Sequence, residues 1–79
     1  MDVSQVTFNG VVYNARHGGP FDRGSADSYY GRVRDPHYYV GGTSMSARLG
    51  EVDMSTTQIA DYYAGFDYNE QSGDKKSYD

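Results

Sequence analysis

The sequence predicts a small α+β domain: an N-terminal β-hairpin, a short central helix, one or two further strands, and a capped C-terminal helix packed on a small antiparallel sheet. Three observations lead there. Two β-branched and aromatic runs flank an Asn-Gly pair, apolar residues recur at helical spacing behind two candidate caps, and a chain of 79 residues has room for one core. That core must be thin, because Leu, Ile, Val and Phe together number 12 of 79, a level at which disorder competes. Nine tyrosines compensate, since each ring buries about 150–250 Å² while its hydroxyl finds a partner or stays wet.

The elements follow in order. Gln5-Val6-Thr7-Phe8 and Val11-Val12-Tyr13 read as paired strands, because Asn9-Gly10 tolerates the positive φ angles of a type I′ turn. Ala15 to Pro20 carries two glycines and a proline and reads as a loop. Asp22 or Ser25 then caps a helix whose face is Ala26, Tyr29, Tyr30 and Val33, and Asp35-Pro36 ends it. His37 to Val40 reads as a strand closed by Gly41-Gly42, and Thr43 to Leu49 as a weaker one with Arg48 on its polar face. Ser55-Thr56-Thr57-Gln58 is a capping box in front of a second helix with the stripe Ile59, Tyr62, Tyr63 and Phe66. Residues 1–68 are thus expected to form the domain, and the polar stretch 69–79 a flexible tail.

Composition narrows the function classes. Without cysteine there is no disulfide, thiol nucleophile or cysteine zinc site. No apolar run is long enough to span a bilayer, and MDVSQVTFNG lacks the basic-then-apolar form of a signal peptide, which points to a cytoplasmic, non-membrane protein. The net charge of -4 is unevenly placed: residues 14–48 hold five arginines and three aspartates, whereas residues 49–79 hold seven acids and two lysines. Such an acidic half weighs against general nucleic-acid affinity and favours a basic protein partner, or mimicry of a phosphate backbone.

Arg23, Arg32 and Arg34 form a potential fork-like anion site, with Tyr30 and His37 adding hydrogen bonds or a stacking face. A structural reading competes with it: Arg23 and Asp27 lie i and i+4 on the expected helix, and Arg32 and Arg34 complement its C-terminal dipole. Neither His17 nor His37 sits in metal-ligand spacing, and Ser25, Asp27 and His37 supply triad residue types without a nucleophile elbow. No catalytic residue, metal or cofactor is therefore assigned. Adjacent tyrosines (Tyr29-Tyr30, Tyr38-Tyr39, Tyr62-Tyr63) place one ring inward and one near the surface, where tyrosine serves interfaces. The expected partner-binding residues are Arg23, Tyr30, Arg32, Arg34, His37 and Tyr38, joined by Asp61 and Asp67 on the acidic helix.

Across RGSADSYYGRVRDPHYY the chain resembles a group of small bacteriophage and bacterial proteins that carry an R-G-x-A-D-x-Y-Y-G-R core, a Pro-His, and a later helix with Y-x-x-G. The matching positions are Arg23 to Arg32, Pro36-His37, and Tyr62-Tyr63-Ala64-Gly65. The Y-x-x-G element is also similar to that of the ribosome modulation factor family, whose members are strongly basic where this chain is acidic. No activity is established for the phage group. What the resemblance implies is a non-enzymatic accessory factor in the host cytoplasm, one that binds and inhibits or redirects a host protein such as a nuclease, polymerase or defence complex. The alternatives are nucleic-acid or nucleotide binding through Arg23, Arg32, Arg34 and Tyr30, and a small homo-oligomeric assembly component.

Overall fold

A computed structural model of the protein describes residues 4–41 and 46–77. Its first element is the expected hairpin, β1 (Gln5–Phe8) and β2 (Val11–Asn14), paired from Gln5↔Asn14 to Phe8↔Val11. Asn9 at φ 53° and Gly10 at φ 79° give the type I′ turn its two left-handed residues. One face of the hairpin brings Phe8 edge-on to Tyr68 and stacks Tyr13 on Phe21, with ring centroids 5.5 and 5.0 Å apart. Val11 and Val12 remain exposed.

The central helix differs from expectation in both position and face. α1 (Pro20–Tyr29) starts at a proline in its first turn behind Gly19, with no side-chain cap. Proline suits that place because its fixed φ is helical and the amide it lacks would have no intrahelical partner. Asp22, one of the two expected caps, instead accepts a hydrogen bond from the Gly18 amide at 2.9 Å. Termination comes early too. Gly31 takes φ 72°, its amide donates to Ser28 O at 3.0 Å, and the Arg32 amide donates to Asp27 O at 2.8 Å. That pair of bonds is a Schellman closure, so the helix stops before Asp35-Pro36. Val33 accordingly lies outside the helix at 82% exposure, and the buried face is Phe21, Gly24, Asp27 and Ser28.

β3 (His37–Tyr39) pairs antiparallel with β4 (Arg48–Gly50), with Tyr38 opposite Leu49 and Tyr39 opposite Arg48. Of the expected strand Thr43–Leu49, residues 43–45 lie outside the described residues, as does Gly42. The free edge of β3 is covered by the loop between β2 and α1: the Tyr39 amide donates to Gly18 O at 2.7 Å, and Arg16 Nη2 donates to Tyr39 O at 2.8 Å. A 3₁₀ turn (Glu51–Asp53) leads into α2 (Thr56–Ser72). Its capping box forms as expected, with Gln58 N donating to Ser55 Oγ at 3.1 Å and Ser55 N donating to Gln58 Oε1 at 2.8 Å.

α2 packs on the sheet through Tyr38 and across α1. Tyr62, Phe66 and Met54 form the buried cluster, with Ile59 and Tyr38 against it, while Tyr63 of the expected stripe is exposed. The crossing is close enough for backbones to touch. A Cβ on Gly24 would fall on the Tyr62 carbonyl oxygen, and one on Gly65 on the Phe21 carbonyl oxygen. α2 also continues past Tyr68, to Gly73 at φ 72°. Beyond it the Lys76 amide donates to Tyr29 O at 2.8 Å, and Lys75 Nζ reaches Ser28 O at 3.0 Å and the Glu70 carboxylate. Residues 78–79 lie outside the described residues. Among the described residues no helix is long and apolar enough to cross a membrane.

Candidate functional site

The alternation of the β3–β4 pair positions the site. Tyr38 points to the core, so His37 and Tyr39, two residues apart, share the opposite side, and the register sets Arg48 directly across from Tyr39. Against that face α1 brings Arg23 and Asp27, one helical turn apart, and the segment after α1 brings Arg32, Val33 and Asp35. Together they line a cleft of about 470 Å³.

Its floor is a buried polar network. Asp27, 3% exposed, accepts from the Tyr62 hydroxyl at 2.5 Å and from Arg32 Nη1 at 3.4 Å. The same hydroxyl accepts from the Asp35 amide at 2.9 Å. Tyr62 is fully buried, and burial first, then its bond to Asp27, pushes its pKa well above the ordinary tyrosine value. It therefore stays a neutral donor. His37 Nδ1 lies 2.7 Å from Asp35 O. A carbonyl oxygen only accepts, so Nδ1 carries a proton, and because an arginine Nε–H only donates, its approach to Nε2 assigns the lone pair there. That lone pair receives Arg23 Nε at 3.4 Å. The Asp27 carboxylate is 3.8 Å from Nδ1, an ion pair when the ring is protonated.

The arginines differ in what they already hold. Arg32 is paired with Asp27, and Arg48 with Asp35 at 3.0 Å. Arg23 does not form the expected i, i+4 pair with Asp27, because that carboxylate is turned inward to Tyr62. Among the described residues no carboxylate lies within 4.0 Å of the Arg23 guanidinium. Its Nε is directed at His37 and its Cζ lies 5.7 Å from the Tyr39 ring centroid; among the described residues the two Nη groups make no hydrogen bond, and the residue lines both this cleft and a second one. A guanidinium presented this way recognises an oxyanion.

Of the residues expected at a partner site, Arg23, Arg32 and His37 meet in this cleft. Tyr30 lines the second cleft rather than this one; it is exposed, and the Arg32 guanidinium lies 4.8 Å from its ring. Arg34 and Asp67 bond each other at 2.6 Å, and Arg34 lies over the Phe66 ring. Tyr38 faces the core. Asp61 is half-buried on α2, where desolvation raises its carboxyl pKa. Ser25 lines the second cleft, of about 380 Å³, with His17, Tyr29 and Asp74, so Ser25, Asp27 and His37 do not face a common space. Among the described residues no three histidine or acidic side chains are grouped to hold a metal.

Sequence reasoning did not place Arg48, Asp35 or Tyr39 at the site. The signal for Tyr39 was the strand alternation of His37-Tyr38-Tyr39. Arg48 joins through a strand pairing that nothing local specifies. No family model, curated protein or solved structure matches the chain.

Proposed function

We propose that this protein is a non-enzymatic binding factor that holds a partner protein against the arginine-lined cleft and the exposed Tyr30 ring next to Arg32. The observation that supports this most is the Arg23 guanidinium, half-buried and oriented by His37, with no carboxylate beside it among the described residues. A cation kept in a cleft without its own counter-charge gains most when a partner supplies one. The resemblance to phage proteins extends the reading: the partner is a host protein in the cytoplasm, which binding inhibits or redirects. Affinity capture from host lysate followed by mass spectrometry tests it. The tagged protein should recover one stoichiometric protein that Arg23→Ala fails to hold, and recovery of background alone would count against a protein partner.

A second reading rests on the Tyr30 ring, flanked by Arg32 at 4.8 Å and Lys76 at 6.0 Å. Aromatic rings between cations stack on nucleic-acid bases. It calls for a mobility shift that weakens with salt and with Tyr30→Ala, and no shift at low salt removes it.

A further inference from the structure

We infer that the group the cleft takes is a carboxylate on an acidic peptide segment of the partner, an inference that rests on the protein-binding reading above. Charge and geometry both favour carboxylate over phosphate.

The cleft sets Arg23, Arg32 and Arg48 against Asp27 and Asp35, with His37 in its neutral Nδ1–H form. The surplus is one positive charge. A carboxylate balances it, whereas a phosphoryl dianion overshoots and sits beside the Asp35 carboxylate, itself largely exposed. Geometry adds to this. With Nε directed at His37, Arg23 offers the end of its fork, where Nη1 and Nη2 lie side by side at a spacing that suits the two oxygens of one carboxylate. His37 is held in turn by the Asp35 carbonyl, so the fork is aimed before any ligand arrives. Arg32 and Arg48 are already paired and lend field more than new hydrogen bonds. Val33 and Tyr39 supply apolar surface beside the fork for the ligand's carbon chain. Both a Glu or Asp side chain and a chain-terminal carboxylate satisfy this chemistry.

The test follows the arginine Nε–H resonances of the full chain by NMR during titration with four short peptides. One carries a single Glu and blocked termini, one has Gln in its place, one has phosphoserine in its place, and one has a free C-terminus as its sole acid. Expected is a saturating shift of the Arg23 signal with the Glu peptide, the free-C-terminus peptide, or both; which of them shifts it identifies the source. The Gln peptide should leave it unmoved, and binding, read in Arg23→Lys from the Arg48 Nε–H signal, should weaken roughly tenfold, because that variant keeps the charge and loses the fork. Tighter binding of the phosphoserine peptide than of both carboxylate peptides overturns the inference, as does an Arg23 signal that no carboxylate peptide moves. A captured partner lost on Arg23→Ala while the carboxylate peptides stay silent sinks the carboxylate inference alone. No captured partner alongside a carboxylate-responsive Arg23 sinks the protein-partner reading alone.

Discussion

Tyr62 joins the core to the cleft. Its ring is in the apolar cluster, its hydroxyl donates to Asp27, and it accepts from the backbone that turns toward His37. Tyr62→Phe keeps the ring and leaves the buried carboxylate without its shortest donor, which costs about 2–3 kcal/mol in urea unfolding. The hydroxyl also gives stability a pH dependence. Folded Tyr62 keeps its proton above the ordinary value of 10.0, so above that pH the folded state binds more protons than the unfolded chain. Its contribution is complete below about pH 10 and declines as pH rises toward the raised value. Wild type should lose stability more steeply than Tyr62→Phe above pH 10, and parallel curves would show that the hydroxyl is not the group responsible.

At the scale of elements, the two helices are set by two glycines facing each other's carbonyls. Gly24→Ala or Gly65→Ala must part the helices or bend one, and either should lower stability by about 3 kcal/mol or more. Gly31→Ala is the control: its φ is 72° with open space around it, so the cost is a left-handed alanine alone, about 1–2 kcal/mol. Chemical denaturation of the three variants checks the order, and equal losses would mean that the crossing tolerates a methyl. The same contrast explains what could be read in advance. The hairpin and the start of α2 were legible because Asn9-Gly10 and Ser55–Gln58 satisfy their own backbone groups locally. α1 was misplaced because its buried face includes a glycine, an aspartate and a serine, which become interior residues only through Tyr62, Glu70 and the opposite backbone. Gly31 also sits after the tyrosine pair at a position where apolar spacing alone extends the helix to Val33. The candidate site was half visible for a related reason. Arg23, Arg32 and His37 are neighbours in sequence, but the removal of Asp27 from Arg23 is a tertiary event.

Over the whole molecule the charge halves take largely separate places and meet where Arg34 pairs with Asp67 of α2. Three of the five arginines, Arg23, Arg32 and Arg48, line the cleft, and most acids of residues 49–79 lie on α2, the preceding 3₁₀ turn and the stretch after the helix. Lys75 and Lys76 return to the C-terminal end of α1, near Tyr29 and Tyr30. Glu70 takes part in that return: the Lys75 ammonium first, then the Ser28 hydroxyl, hold its carboxyl below the ordinary glutamate value. A lowered folded pKa stabilises above the unfolded value, and the contribution is lost as pH falls through the folded one. Glu70→Gln should flatten the acid limb of the stability curve between those two values, and an unchanged limb would show that the contact does not couple to folding. The function of the cleft is tested by affinity capture with wild type beside a folded Arg23→Ala. One stoichiometric partner is expected on wild type and its loss on the variant; equal recovery on both would mean that Arg23 does not hold the partner.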